Sequence, residues 1–211
     1  VNGADVYIGG RFSTAGGVPA AHIAHWDGSA WHALGAGMDG NVHALALYDG
    51  RLVAGGVFTT AGEIAVNNLA VWDGSTWADF GGGVTQEEDP EVDVLVVNGE
   101  SLYVGGGFTQ AGTTSAYGIA RWDGSSWYAL GDGAELVFDI AVDGSSVYIG
   151  GYFSMSIPGE GTALNIARWD GLAWHMLGGG VVLNVNALML DGADLYVGGA
   201  EHAVLHLLYA R

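Results

Sequence analysis

A Gly-Gly pair closing a short apolar run recurs five times in the 211 residues: VYIGG ends at Gly10, LVAGG at Gly56, LYVGG at Gly106, VYIGG at Gly151 and LYVGG at Gly199. The steps between them are 46, 50, 45 and 48 residues. Self-similarity at a near-fixed period means that one structural unit is built repeatedly, each copy burying its apolar surface against the next. After four of the pairs come one residue and then a phenylalanine, at Phe12, Phe58, Phe108 and Phe153. A variable stretch then leads into Trp-Asp-Gly, with a second tryptophan five residues after the first. The resulting pairs are Trp26 and Trp31, Trp72 and Trp77, Trp122 and Trp127, and Trp169 and Trp174.

Each unit reads as four short strands. In the third copy these are residues 92–97, 101–106, 118–122 and 127–130, apolar runs bounded by turn residues. Asn98-Gly99, Asp143-Gly144 and Asp191-Gly192 sit between first and second strands, Asp123-Gly124 and its equivalents between third and fourth; these residues tolerate the positive φ of tight hairpins. The fold class expected is all-β: a β-propeller of four-stranded antiparallel blades, about five in number, in a single domain over 1–211. Its modules run approximately over 1–40, 41–90, 91–135, 136–183 and 184–211. Val1 aligns with Leu190, and Ala210-Arg211 with Ala120-Arg121, so the first and last blades are expected to be incomplete, in an open ring or a segment of a longer propeller. Such an edge invites pairing with another chain or with missing parts of the same one.

The string LYVGG-x-F-T-x-AG…NIARWDGSxW-x-x-LG-x-G resembles kelch-like propeller repeats of the kind found in large bacterial secreted or surface proteins and in a fungal cortical polarity protein. The resemblance covers almost the whole chain. It implies an extracellular or cell-surface protein, with the propeller as a non-catalytic scaffold for protein or glycan binding and adhesion. Because propellers also carry enzymes, a polysaccharide-active hydrolase or lyase is the alternative.

Charge narrows the partners. Twenty-three acidic residues face five basic ones, all arginine, for a net charge of −18. Such a surface repels phosphate backbones, which argues against nucleic acid. Without cysteine there is no thiolate metal site or thiol nucleophile, and without lysine no phosphate loop can be completed. Apolar runs of four to eight residues are too short for membrane insertion as helices, which needs about 18.

Most repeated residues have structural explanations. A tryptophan kept in every copy suits a core between blades, since it buries ~150–250 Å². The aspartate of each Trp-Asp-Gly suits a turn in which its carboxylate accepts backbone amides, since one carboxylate falls far short of the six to eight oxygens of a calcium site. Residues 202 and 206, both histidine, have zinc-binding spacing only on a helix, whereas the repeat pattern makes their segment a short loop entering a third strand.

Variation between copies is the better guide to function. Length differences fall in the connections from strand two to three and from strand four to the next blade, which emerge on one face; that face is the expected binding surface. There, residues 85–93 (TQEEDPEVD) place Glu87, Glu88, Asp89, Glu91 and Asp93 within seven positions. The readings are a calcium site at Glu87, Glu88, Asp89 and Glu91, a surface for a basic partner, or a solvated loop. His43, Asp93, Phe138 and Asn186 align in the innermost strand, where His43, Asp93 and Asn186 would hold a cation or ordered water near the channel mouth. No catalytic constellation stands out, and no cofactor other than calcium is expected.

Overall fold

In a computed structural model, residues 5–199 are described in full and residues 204–208 as backbone only. Among these residues every regular element is a strand. Val6–Gly9, Ile23–Trp26 and Trp31–Ala33 form the first blade's sheet. Asn41–Tyr48, Arg51–Val57, Leu69–Trp72 and Trp77–Asp79 form the second; Glu91–Asn98, Ser101–Gly107, Ile119–Trp122 and Trp127–Ala129 the third. Leu136–Asp143, Ser146–Ile157, Gly161–Trp169 and Trp174–Met176 form the fourth. Val185–Asp191, Asp194–Gly199 and Val204–Leu208 form the fifth. Neighbouring strands within every sheet pair antiparallel, as the turn residues predict.

The core lies between blades. Ile23, Leu34 and Met38 of the first blade and its connection pack with Val42, Leu52, Phe58 and Trp77 of the second. Val53, Leu69 and Phe80 then meet Val92, Leu95, Phe108 and Trp127, and Ile119 and Leu130 meet Val137, Phe153 and Trp174. Two devices close the seams. The first member of the Gly pair leaves room for a valine of the next inner strand: a Cβ on Gly55 would overlap Val92, and one on Gly9 or Gly150 would overlap Val42 or Val185. In the second, third and fourth blades the second tryptophan of the pair reaches back to the preceding blade. The indole N–H groups of Trp77, Trp127 and Trp174 donate to the carbonyls of Leu34, Gly81 and Leu130 at 2.9, 2.8 and 2.8 Å. These three rings are only 6–7% exposed.

The variable stretch after each Gly pair is more ordered than its composition suggests. In the first three blades it folds into a hairpin of two-residue strands: Thr14–Ala15 with Val18–Pro19, Thr60–Ala61 with Ile64–Ala65, and Gln110–Ala111 with Thr114–Ser115. The fourth blade extends its second and third strands into one long hairpin instead. Connections between blades pair with these hairpins, Met38 bridging Ala61 and Val84–Thr85 pairing with Gln110–Ala111.

The residue before the third strand is left-handed in the first three blades, His22, Asn68 and Gly118 at φ of 64°, 63° and 65°, and its counterpart Asn165, at 59°, sits at the register shift inside Gly161–Trp169 of the fourth. In two copies an asparagine amide stabilises that backbone, Asn68 donating to the Gly56 and Pro90 carbonyls and Asn165 to that of Val181.

One alignment needs correction. The expected equivalence of Arg211 with Arg121 fails, because Tyr196 pairs with His206 and Leu195 with Leu207, where Tyr103 pairs with Arg121 and Leu102 with Trp122. In the fifth blade only four residues separate the second strand, ending at Gly199, from the third, beginning at Val204, so its third strand begins earlier in the chain. Val204–Leu208 is thus strand where a loop was expected, which puts His206 on the third strand; His202, Tyr209, Ala210 and Arg211 lie outside the described residues.

If the indole ties hold the seams, Trp127→Ala should cost about 3–5 kcal/mol in urea unfolding. Trp127→Phe, which keeps a ring but leaves the Gly81 carbonyl unpaired, should cost about 1–3 kcal/mol. Trp31→Ala, at the same module position but only half-buried, should cost less than Trp127→Ala. Equal losses at positions 31 and 127 would contradict this account.

Candidate functional site

A β-bulge occurs at the same place in four inner strands. Pairing skips a residue between Val42 and Ala44, Val92 and Val94, Val137 and Asp139, and Val185 and Ala187. The skipped residues are His43, Asp93, Phe138 and Asn186, the column aligned in the sequence. A bulge re-aims the extra side chain and often marks a functional position.

In the second and third blades the bulges bring charge together. His43 Nδ1–H donates to Asp93 Oδ1 at 3.0 Å across the seam. Glu91 joins them, so that one ligand atom from each of His43, Glu91 and Asp93 lies within 4.8 Å of the others. Asp93 Oδ2 is buried and accepts no hydrogen bond. Burial raises the Asp93 carboxyl pKa, and the His43 hydrogen bond offsets only part of that rise. Burial raises that of Glu91 as well, reinforced by the Asp93 charge.

The remaining candidates spread out. Glu87, Glu88 and Asp89 are exposed on the turn before Glu91, and among the described residues they form no further three-membered group with it. Gln86 closes this turn, its amide donating to the Glu88 and Asp89 carbonyls. Asp89 lines a pocket of about 220 Å³ on this face with Asp39, Phe58, Thr59, Asn68 and Pro90. Asn186 occupies the equivalent bulge of the fifth blade, exposed, and takes no part in the described His43–Asp93 hydrogen bond.

Sequence reasoning missed Asp139. It follows the bulged Phe138, and its carboxylate accepts the Ile140 amide at 2.9 Å and, across the seam, the Leu188 amide at 2.6 Å. Burial raises its pKa against the pull of those amides. Also unforeseen is a cleft of about 490 Å³ on the tight-turn face, lined by Tyr48, Asp49, Arg51, Glu100, Trp122 and Asp123 among others.

The Trp-Asp-Gly aspartates are turn residues. Oδ1 of Asp73 accepts the Ser75 and Thr76 amides at 2.8 Å each, and Asp27, Asp123 and Asp170 repeat the arrangement. Backbone amides hold Asp73 and Asp123 down to about 2. Asp27, through the Ser29 hydroxyl first, and Asp170, through the Ala173 amide first, are held lower still. His175 sits between Asp170 and Glu160, whose hydrogen bonds raise its pKa.

The family model for the Rax2 C-terminal beta propeller domain matches residues 1–132, which span the first three blades. Among solved structures, the chain is similar to the computationally designed Ika8 protein, with a TM-score of 0.58 and 16% identity over 89% of this chain and 52% of that one. The designed Ika4 protein gives 0.55 and 16% over 82% and 94%. YCF48 bound to D1 peptide gives 0.50 and 15% over 89% and 58%. At these identities the likeness is one of fold. A 20-residue stretch is 95% identical to leucine–tRNA ligases of Salinispora arenicola and Streptomyces coelicolor. It is 10% of this chain, which spans about 2% of the length of those curated relatives. Shorter than half a module, that stretch carries no property of the enzymes to this chain.

The pKa directions give a signed pH dependence. Asp93, Glu91 and Asp139 take up protons in the fold before they would in the unfolded chain, so stability rises as pH falls through their folded values. The turn aspartates contribute above their ordinary 3.8 and lose that contribution as pH falls toward about 2. The His175 contribution is complete below 6.5 and lost as pH rises through its raised value. The melting temperature should therefore rise from about pH 8 to about pH 5 and fall below about pH 4. Asp139→Asn should flatten the rise; a steady decline from pH 8 downward would contradict these assignments.

Proposed function

For a chain that belongs to the Rax2 C-terminal β-propeller domain family, we propose the role of a non-catalytic binding scaffold within a larger extracellular or cell-surface protein. The observation that carries this reading is the construction of the face bearing the variable connections. Its hairpins are tied to the inter-blade connections by main-chain pairing, Gly62 donating to Gly37 at 2.7 Å and Gly112 to Gly83 at 2.8 Å. Asp39 fastens the next hairpin by accepting the Thr59 and Thr60 amides at 2.8 and 2.9 Å. A face braced in this way presents side chains at little ordering cost, which favours recognition of a surface.

The kelch-like character of the repeats, and adhesion as the biological role, belong to the same proposal. The ligand on this face would be a protein or glycan offering positive charge or hydroxyl donors, since Asp39, Glu87, Glu88 and Asp89 lie on it beside the 220 Å³ pocket.

Binding to immobilised glycans and basic proteins, read by surface plasmon resonance, tests this. Glu87→Gln combined with Glu88→Gln and Asp89→Asn should weaken binding at least about tenfold and flatten its salt dependence. Asp49→Asn with Glu100→Gln, in the cleft of the opposite face, should leave it unchanged. Depolymerisation of a bound polysaccharide would overturn the scaffold reading, and loss of binding only in the second variant would move the site to the other face.

A further inference from the structure

The bulges of the second and third inner strands build something the scaffold reading does not require. His43 supplies one imidazole nitrogen, and Asp93 and Glu91 supply two carboxylates, from adjacent blades and at fixed main-chain positions. We propose that His43, Glu91 and Asp93 form a binding site for one divalent transition-metal ion, of the zinc or manganese class, bridging the seam between the two blades.

Three features of the geometry point to a cation. The first is spacing. Ligand atoms about 2.0–2.2 Å from one ion stand roughly 3.0 Å apart in octahedral and about 3.4 Å apart in tetrahedral coordination. His43 Nδ1 and Asp93 Oδ1 are 3.0 Å apart, and the Glu91 oxygen is within 4.8 Å of both; with the imidazole proton moved to Nε2, the freed Nδ1 lone pair and the two carboxylates can face one ion in place of the His43–Asp93 hydrogen bond.

The second is the orphan oxygen. Asp93 Oδ2 is buried with neither a protein donor nor solvent to satisfy it, while its side chain is 18% exposed overall. An unsatisfied buried acceptor on a charged group is costly, and folds retain one where something else completes it. A cation held by Oδ1 and Oδ2 together, or bridging from Oδ2 to Glu91, would do so.

The third is charge. Two carboxylates and a single imidazole carry an excess of negative charge, and among the described residues the ion pairs of Asp93 and Glu91 include no arginine: Asp93 pairs with His43, while Arg51 pairs with Asp49 and Arg121 engages Ser101 and the Tyr128 ring. Lysine is absent from the chain altogether. An imidazole ligand selects against calcium and magnesium, which take oxygen, and suits zinc, manganese, iron or cobalt. Three protein ligands leave a position open to water or an incoming ligand atom.

Bulged inner strands of the other blades show that the backbone alone does not dictate the site. Phe138 and Asn186 occupy the same bulge without assembling such a group among the described residues.

Isothermal titration of the full chain with zinc chloride, manganese chloride and calcium chloride tests the proposal, with cobalt chloride absorption reporting coordination. One zinc equivalent should bind, with calcium at least about tenfold weaker. His43→Gln, at an exposed position that leaves the sheet intact, should lose that equivalent or weaken it at least about tenfold, and Asp93→Asn should do the same. Cobalt d–d bands should appear in the parent chain and disappear in His43→Gln. His175→Ala, which removes the other imidazole held by two carboxylates, should retain the site. Absence of saturable zinc, manganese and cobalt binding, undiminished binding by a folded His43→Gln chain, or tighter binding of calcium than of zinc would each overturn it. The proposal stands apart from the ligand on the loop face: a chain that binds zinc but no glycan or basic protein keeps this site and loses the scaffold reading.

Discussion

A four-stranded sheet with apolar side chains on both faces cannot satisfy them alone, and that is the constraint on which the rest of this structure depends. Each blade is a short hairpin pair whose strands alternate between two faces, both of which need a neighbour. The neighbour has to come close, and the seam is built for that. Gly55 leaves the space that Val92 fills, and Trp127 reaches over from the next sheet to the Gly81 carbonyl. A buried indole gains several kcal/mol from its area at ~25 cal/mol per Å², and its N–H must still find an acceptor. The preceding blade supplies that acceptor, so one side chain provides both the area and the registration.

Besides the indole ties and the braced hairpins, polar contacts cross the seams on the tight-turn side and at the bulges. Tyr48 donates to the Glu100 carbonyl at 2.8 Å and Asn98 to the Gly144 carbonyl at 3.1 Å, on the tight-turn side. His43 meets Asp93, and Asp139 takes the Leu188 amide, at the bulges. The bulge thus has two consequences. It interrupts main-chain pairing, leaving amides such as Leu188 for a carboxylate to accept, and it aims extra side chains from neighbouring blades at one another. Function built on a bulge inherits the rigidity of the seam beneath it.

Much of this is legible in the sequence because the same physics is written several times. Five Gly pairs, four Trp pairs and the Asp-Gly turns give strand number, order and pairing, and each Trp-Asp-Gly aspartate is readable as a turn residue from its type and place. The alignment also finds the column of His43, Asp93, Phe138 and Asn186. What it does not reveal is that this column is a bulge, because one extra residue in one strand leaves no mark on residue type. Nor does it join Glu91 to His43: that needs the register across two blades. The two-residue hairpins after Phe12, Phe58 and Phe108 escape notice because so short a run carries no periodicity. The fifth blade misleads because shortening its connection slides the third strand by several residues, which a motif aligned on arginine cannot detect.

Among the Trp side chains, two classes follow from one module: first members lying half-exposed along the blade, and the second members Trp77, Trp127 and Trp174, buried and bonded to the blade before. The most direct test of the seam as the organising interaction is native-state hydrogen exchange of the eight indole N–H protons, resolved by heteronuclear NMR. The indole protons of Trp77, Trp127 and Trp174 should exchange only through global unfolding, with protection matching the slowest backbone amides, while those of Trp26, Trp72, Trp122 and Trp169 exchange faster. Fast exchange at Trp77, Trp127 and Trp174, or equal protection across both classes, would contradict it.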